Sequence, residues 1–360
     1  MPQLKREQLT DFAARGMPAI GAMPVRKTTD IASSKIGVCF ETLNRFMFDP
    51  ERVYPLMAEL GSKWARVQTG WNRCEVEPGK YDFAWLEELV DKLLAVGVEP
   101  FFSVSFGNKL YMPDVPHESA VGHVPLYYGD SVRVAWDNYV RALADCFRGR
   151  VRHWKVWNEP NLQNMHDLVR RLLKQYSGGK VIDVWQGENG CPSQTEGHND
   201  DWLGLYATDQ VVQAKWVARR ILVDLKTGFD MALYFHVIDL MGRPYRQAGG
   251  EEKMPVMMGL INGATYEPKY SFEVFQRVCS LFDDASERRE LFYRFMNPDE
   301  KNPQQSAILA TPMAVSFVRD GVPFGEPFIC DDANVGTRFR LPLTDYPLVL
   351  TDRSLFPFVT

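Results

Sequence analysis

Residues 63–104 read KWARVQTGWNRCEVEPGKYDFAWLEELVDKLLAVGVEPFFSV and decide the fold class. A short β-rich run at 63–67 and a second at 100–104 flank a segment with the period of a helix. Its apolar residues recur every three or four positions and stop before Gly97: Leu86, Leu89, Val90, Leu93 and Leu94. One face of this helix therefore packs inward, and the segment predicts a strand–helix–strand unit of a parallel sheet.

The same alternation of β-rich runs and amphipathic helices extends from residue 31 to residue 285. The predicted strands are 36–40, 63–67, 100–104, 152–157, 181–185 and 231–235. We therefore expect an α/β fold of the TIM type, a (β/α) barrel, in an incomplete form because only six strands are present. From residue 286 the composition changes to proline-punctuated β-type runs such as 314–318 and 346–350. Residues 286–360 are predicted to form a small accessory β-sandwich, with residues 1–30 as a candidate for completing it.

The composition is that of a globular chain with a large core. Of 360 residues, 45% are apolar and 24% are charged, which excludes disordered, collagen-like and disulfide-scaffold classes. A net charge of -5 argues against nucleic acid or an anionic membrane as the main partner. The start of the sequence lacks the apolar region of a secretion signal, and the six cysteines are scattered singly. These features predict a cytoplasmic protein with reduced thiols and no membrane span.

Two glutamates follow predicted strands and could carry chemistry. Glu159 lies in the sequence WNEPN at the end of the fourth predicted strand, and Glu188 lies in WQGENG after the fifth. Ligands bind at the carboxyl ends of parallel strands in such folds. Glycoside hydrolysis requires two carboxyl groups, one that donates a proton and one that attacks the sugar or activates water. A single glutamate after a strand is more often a surface charge, but two at one rim beside Trp and Asn favour catalysis.

The chain at this point resembles the retaining glycosidases of clan GH-A, especially family 39 and its β-xylosidase-like relatives. WNEPN at 157–161 is the specific part of the resemblance. Four further stretches support it: IGVCFETLNR at 36–45, WARVQTGW at 64–71, EPGKYDF at 77–83 and FGNKLY at 106–111. The resemblance covers residues 31–285 loosely, and the tail is similar to the accessory β-sandwich of that family.

The resemblance implies roles for particular residues. Glu159 takes the place of the acid/base and Glu188 that of the nucleophile, which predicts two carboxyl groups about 5–5.5 Å apart. Asn158 matches the residue that donates to the sugar 2-hydroxyl group. Arg66 matches a position where the clan places an arginine that keeps the nucleophile charged. The alternative for Arg66 is an ordinary ion pair with Glu41 at the barrel rim.

Other residues at predicted strand ends are candidates for lining the sugar site. They are Glu41, Trp71, Asn108, Trp157, Asn161, Trp185, His236 and Asp239. For the tryptophans, core packing is as good an explanation as stacking on a sugar. His236 is expected to orient a neighbour through hydrogen bonds rather than to bind a metal, because no second ligand follows at metal-site spacing. Glu75, Glu77 and Asp82 are expected to be solvated loop charges.

The spacing of the two glutamates departs from the family pattern. A complete barrel uses roughly 30 residues for each βα unit, so the fourth and seventh strands should be about 90 residues apart. Glu159 and Glu188 are only 29 positions apart (188 minus 159). Either segments that carry the fifth and sixth strands are missing from the chain, or Glu188 is not the equivalent of the family nucleophile. We favour missing segments, because the sequences around both junctions still match family elements.

The sequence therefore leaves two main hypotheses. The first is a glycosidase that cleaves a terminal glycosidic bond of a glycoside or oligosaccharide with retention. The second is a catalytically silent carbohydrate-binding relative with a truncated barrel, and a metal-dependent hydrolase is much less favoured for want of ligand spacing. No cofactor is implied, since neither a dinucleotide-binding motif nor a P-loop occurs. A homo-oligomer is compatible with the appended sandwich, and the sequence does not identify the sugar.

Overall fold

The computed structural model describes most of the predicted barrel and two short parts of the tail. The described residues are 25–115, 117–120, 123–156, 178–180, 183–193, 209–241, 255–289, 316–319 and 322–324.

Among the described residues, six strands form one parallel sheet. In chain order they are β1 (Ile36–Cys39), β2 (Trp64–Gln68), β3 (Glu99–Val104), β4 (Trp154–Val156), β5 (Trp185–Asn189) and β6 (Met231–Tyr234). Their order across the sheet is β4-β3-β2-β1-β6-β5, and every pairing is parallel. The first strand thus lies at the centre and pairs with the last, as it does where a barrel closes on itself.

Helices follow the strands and cover the outer face of the sheet. They are α1 (Tyr54–Leu60), α2 (Trp71–Cys74), α3 (Ala84–Ala95), α4 (Asp130–Cys146), α5 (Gln210–Thr227) and α6 (Tyr270–Leu281). Pro50 opens a 3-10 turn before α1, with the Asp49 carboxylate capping the amide of Glu51. Gly61 ends α1 with a φ of 77°, a conformation that glycine adopts without a steric penalty. Proline at the start and glycine at the end are the residues expected to bound a helix.

Alternate strand residues divide between two apolar cores. Val38 and Phe102 face outward and join a large core with the helices, which includes Leu86, Leu89, Val90 and Leu93. Cys39 and Phe101, their neighbours along the chain, belong to a smaller inner core with Met231, Leu233, Trp64 and Trp185. Both faces of the sheet are therefore apolar, which is typical of a parallel sheet covered on both sides. The inner core exists because the sheet curls enough for its own side chains to fill its concave face.

The inner face has little room. A Cβ atom on Gly37 would lie 2.4 Å from Leu233 Cδ2 and 2.8 Å from Trp64 Cβ, distances that real contacts do not show. Glycine at this position therefore allows β2 and β6 side chains to meet in front of β1.

The predicted fold class is confirmed as a curled parallel sheet of βα units, an incomplete TIM-type barrel. Within the described residues, β4 pairs only with β3 and β5 pairs only with β6. These are the two places where the missing strands of a complete barrel would pair.

One predicted strand boundary is wrong. The apolar run at 181–185 favours a strand there, but the strand is Trp185–Asn189, and Glu188 lies inside it rather than after it. The Asp230 carboxylate accepts a hydrogen bond from the amide of Val184 at 2.7 Å. Because the Asp230 side chain binds this amide, the amide is not used in strand pairing. Pairing with β6 therefore begins one residue later, at Trp185 and Met231.

The tail contains a three-stranded antiparallel sheet made of β7 (Ser286–Arg289), β8 (Ser316–Arg319) and β9 (Val322–Phe324). The predicted run at 314–318 overlaps β8, whereas the run at 346–350 lies outside the described residues. The sandwich at 286–360 and the boundaries of both predicted domains remain predictions. In the described part of the chain, no helix has both the length and the apolar character needed to cross a bilayer.

Two adjacent leucines of α3 test the assignment of its buried face. Leu93 is fully buried, whereas Leu94 is 36% exposed. We expect Leu93→Ala to lower the free energy of unfolding by about 2–5 kcal/mol, because it leaves a cavity in the outer core. Leu94→Ala should cost less than about 1 kcal/mol. Urea denaturation measures both, and equal losses would contradict the assigned helix face.

Candidate active site

A β-bulge turns Glu188 toward the inside of the curled sheet. Gln186 pairs with Ala232 and Asn189 pairs with Tyr234, so two residues on β5 oppose one on β6. Asn189 points outward and donates to the Asp224 carboxylate of α5 at 3.2 Å. Because a bulge shifts the alternation of side chains by one, Glu188 shares the inner face with Gly187.

Arg66 holds the Glu188 carboxylate from across the inner face. Its Nη2 donates to Glu188 Oε2 at 2.7 Å, and its Nη1 donates to the carbonyl oxygen of Gly187 at 2.7 Å. β2 and β5 are not sheet neighbours, since β1 and β6 lie between them. The guanidinium group therefore links two strands through the interior.

The same arginine also pairs with a second carboxylate. Arg66 Nε donates to Glu41 Oε1, and Gln68 Nε2 donates to Glu41 Oε2 at 3.2 Å. Glu41 is the second residue after the end of β1. The sequence offered a contact of Arg66 with Glu188 and an ion pair with Glu41 as alternatives, and the structure shows both contacts at once.

His236 anchors the backbone of Glu41. The amide of Glu41 donates to His236 Nε2 at 2.8 Å, so Nδ1 carries the proton and donates to the carbonyl oxygen of Ile238 at 3.0 Å. The ring is fully buried, and burial lowers the pKa of His236 to about 3. The imidazole is thus neutral and serves as a hydrogen-bonded support.

Lys155 on β4 brings a second cation to the site. Its Nζ lies 3.3 Å from the position that a Cβ atom on Gly187 would occupy, and Arg66 Nη1 lies 3.8 Å from the same point. Burial lowers the pKa of Lys155, and the positive charge of Arg66 acts in the same direction. Glycine at 187 leaves space for both cations beside β5.

Cys39 lies next to this cluster and is not a reactive thiol. Its Sγ approaches the carbonyl oxygen of Gly187 at 3.8 Å, and burial raises the pKa of the thiol well above its ordinary value. The Cys39 side chain therefore stays protonated and packs as a small apolar group.

Trp185 lies below the charged cluster rather than at the rim. Its ring centroid is 5.8 Å from that of Trp64, 5.3 Å from that of Phe101 and 5.2 Å from that of His153. Residues from β2, β3 and β5, with the residue that precedes β4, thus form an aromatic layer that closes the amino-terminal end of the interior. Trp185 contributes to this layer.

Trp71 and Asn108 are placed in buried structural roles. The Trp71 ring is 1% exposed and stacks on Tyr111 and Tyr139 at 5.2 and 5.7 Å. Asn108 donates to the carbonyl oxygens of Trp71 and Glu75 at 3.3 and 2.8 Å. Core packing, the alternative left open by the sequence, describes Trp71 in this structure.

The expectation for Glu75 is wrong. Its carboxylate is 1% exposed and accepts hydrogen bonds from Trp71 Nε1 at 2.5 Å, from the amide of Gly79 at 2.7 Å and from the hydroxyl of Tyr111. These donors replace water and allow a buried carboxylate. Glu77 and Asp82 are exposed, as expected.

Asp239 is likewise buried and occupied. Its Oδ1 accepts from Lys269 Nζ at 2.8 Å and from the amide of Gly259 at 2.8 Å. Lys269 Nζ also donates to Ser193 Oγ at 3.0 Å. Burial raises the pKa of Asp239 and lowers that of Lys269, while each partner opposes the shift of the other. This ion pair fixes the segments that follow β5 and β6.

The remaining predicted site residues lie outside the described residues. They are Trp157, Asn158, Glu159 and Asn161, which follow β4 in the sequence. Among the described residues, the structure brings together Glu41, Arg66, Glu188 and His236 of the predicted set. It adds Gln68 and Lys155, which the sequence analysis missed. Alternation along β4 could have indicated Lys155, because it is two residues from the predicted site residue Trp157 and so shares its side of the strand.

Comparisons with known proteins point to one group of enzymes. Residues 49–105 match the glycoside hydrolase 42 family model, described as β-galactosidase. An aryl-phospho-β-D-glucosidase of Bacillus subtilis is 29% identical over 143 residues, which cover 37% of this chain and 26% of that protein. A β-galactosidase of Bifidobacterium bifidum is 25% identical over 178 residues, covering 48% of this chain and 22% of that protein. The chain thus spans about a quarter of the length of these curated relatives.

A solved structure of a family 39 glycoside hydrolase from Bacteroides cellulosilyticus has the same fold. It is superimposed with a TM-score of 0.50 at 14% identity, covering 81% of this chain and 69% of that structure.

The chain resembles the glycoside hydrolases of clan GH-A. The recognition made from the sequence is thereby confirmed.

The neutral state of His236 predicts a pH-dependent stability. Its pKa is about 3 in the folded protein and about 6.5 in an unfolded chain, so only the unfolded state takes up a proton between these values. The contribution of the neutral His236 to the free energy of unfolding is therefore complete above pH 6.5 and is lost as the pH falls from 6.5 toward 3. The difference in unfolding free energy between the wild type and His236→Gln should shrink by up to about 1.4 kcal/mol per pH unit.

The wild type has to be compared with His236→Gln because a second buried group also titrates in this range. Burial raises the pKa of Asp224 to about 6, which changes the stability with pH in the opposite direction, and both proteins share this effect. Chemical denaturation at several pH values between 4 and 8 measures the difference. Parallel stability curves would contradict a neutral buried imidazole.

Proposed function

We propose that this protein is a retaining glycoside hydrolase in which Glu188 is the nucleophile and Glu159 is the acid/base. The observation that carries the proposal is the Glu188 carboxylate, held at 2.7 Å by Arg66 and 23% exposed at the carboxyl end of the strands. A nucleophilic carboxylate has to be ionised, positioned and accessible, and this one has a cationic partner and an open side.

The topology supports the assignment of Glu188. β6 pairs with β1 and therefore takes the place of the last strand of a barrel. β5 pairs with β6 and takes the place of the strand before the last. This is the position that the resemblance assigns to the nucleophile, although only 29 positions separate Glu188 from Glu159. The strand order therefore favours missing segments over a different role for Glu188.

The proposed reaction uses the two glutamates in turn. Glu188 forms a bond to the anomeric carbon while the glycosidic bond breaks, and Glu159 gives its proton to the departing oxygen. Glu159 then takes a proton from water, whose oxygen attacks the anomeric carbon and releases Glu188. Arg66 stabilises the carboxylate before the first step and after the second.

The second candidate function is binding of carbohydrate without turnover. The observation that favours it is the sheet itself, since β4 and β5 each have a single sheet neighbour among the described residues. A complete barrel positions its two carboxyl groups through the strands between them. Since the described residues include no strand between β4 and β5, the positioning of Glu159 relative to Glu188 depends on the segment after β4, which lies outside them.

A panel of aryl glycosides tests the proposal. The full chain is assayed with 4-nitrophenyl xyloside, arabinoside, galactoside and glucoside, beside Glu159→Gln, Glu188→Gln and Glu77→Gln. We expect one glycoside to be hydrolysed, with kcat reduced about 10²–10⁴-fold or more in the first two variants. Glu77→Gln is the control, because Glu77 is exposed and forms an ion pair with the exposed Lys80. Its activity should equal that of the wild type.

The first-formed product anomer distinguishes the mechanisms. Proton NMR of the released sugar should show the anomeric configuration of the substrate, as double displacement requires. Inversion, or full activity in Glu188→Gln, would overturn the proposal. Sugar binding by a folded protein without any turnover would establish the second candidate instead.

A further inference from the structure

Arg66 divides its hydrogen bonds between two carboxylates of very different accessibility. Its guanidinium group is completely buried, with Nε directed to Glu41 and Nη2 directed to Glu188. The Glu41 side chain is 1% exposed, whereas that of Glu188 is 23% exposed. A substrate can therefore reach Glu188 but not Glu41. This separates Glu41 from the direct sugar contact that the sequence predicted for it.

Glu41 is held in place from three sides. His236 accepts the hydrogen bond of its amide, while Gln68 and Arg66 donate to its two carboxylate oxygens. The histidine is itself fixed by the carbonyl oxygen of Ile238. An unbroken series of contacts thus runs from the segment after β6, through Glu41 and Arg66, to the carboxylate of Glu188.

The titratable side chains around Glu188 come from β1, β2, β4 and the segments after β1 and β6. Arg66 and Lys155 are the cations, on β2 and β4, and Glu41 after β1 is the second anion. Cys39 on β1 and His236 after β6 also face this group. Burial raises the pKa of Cys39 and lowers that of His236, so both side chains are uncharged near neutral pH. With both carboxylates ionised, two positive charges and two negative charges balance.

An arginine without a second acid would bind the nucleophile differently. A free guanidinium group prefers to bind one carboxylate through two parallel hydrogen bonds, which would engage both oxygens of Glu188. The contact of Nε with Glu41 leaves a single contact between Nη2 and Glu188 Oε2. The second oxygen of Glu188 is then available for attack on a sugar.

We propose that Glu41 is a positioning residue. Anchored by His236, it accepts the hydrogen bond of Arg66 Nε, so that Arg66 holds Glu188 through one oxygen only. The other oxygen of Glu188 thereby keeps its reactivity. The role of the reacting carboxylate rests on the proposed function, whereas the division of Arg66 between two carboxylates does not.

Two measurements on Glu41→Gln test the proposal. The first is chemical modification of Glu188 by a water-soluble carbodiimide and glycine ethyl ester, quantified by peptide mass spectrometry as a function of pH. This reagent reacts with the protonated carboxyl group. Removing the negative charge of Glu41 should favour the ionised form of Glu188, so that half-modification occurs about one pH unit lower than in the wild type. The second is steady-state kinetics with the best aryl glycoside, where kcat should fall about 10-fold with KM changed less than about 2-fold.

Glu75→Gln is the matched control. Glu75 is also 1% exposed and accepts several hydrogen bonds, but an indole, a phenol and a backbone amide supply them rather than a guanidinium group. Both variants lose a buried carboxylate and are compared below their unfolding temperatures. Glu75→Gln should leave the pH of half-modification and kcat unchanged.

Glu41→Asp provides a second variant that keeps the charge. Its shorter side chain should give an intermediate shift, and it replaces Glu41→Gln if that protein does not fold. A shift in half-modification without any glycoside turnover in the wild type would support the positioning role and reject the proposed function. Turnover with no shift in either Glu41 variant, or with equal shifts in the Glu75 control, would overturn the positioning role alone.

Discussion

The buried guanidinium group of Arg66 is the constraint on which the rest of the structure depends. A cation without water needs partners, because an unpaired buried charge costs several kcal/mol or more. Its partners are Glu41, the carbonyl oxygen of Gly187 and Glu188, which belong to segments on different sides of the curled sheet. Satisfying this one side chain therefore requires that β5 faces β2 across the interior.

The curl that brings these strands together also determines where chemistry can occur. The amino-terminal end of the interior is filled by the rings of Trp64, Phe101, His153 and Trp185. The charged cluster lies above this layer, toward the carboxyl ends of the strands. Only Glu188 of the two acids paired with Arg66 has substantial exposure. An apolar layer at one end of the interior and an accessible carboxylate at the other form the arrangement by which barrel enzymes present acidic groups to a ligand.

The narrow interior of the curled sheet requires glycine at two positions. With six strands the interior is narrow, so Gly37 is needed where the side chains of β2 and β6 meet, and Gly187 where two cations approach β5. The β-bulge beside Gly187 adds the residue that turns Glu188 inward. In the described part of the chain, the side chains of the curled sheet themselves close its interior.

The sequence alone determined the alternation of strands and helices and the charged residues near the strand ends. These features can be recognised from the periodicity of neighbouring residues along the chain. It also named Arg66 and Glu188 as site residues through the family resemblance, and Glu41 and His236 through their positions at predicted strand ends. Only the tertiary structure decided that β5 is Trp185–Asn189 with a bulge, that Lys155 joins the site and that Glu75 is buried. Each of these depends on contacts between residues far apart in the chain. A local pattern shows that a residue is charged, but its partners and its exposure are fixed only when the strands meet.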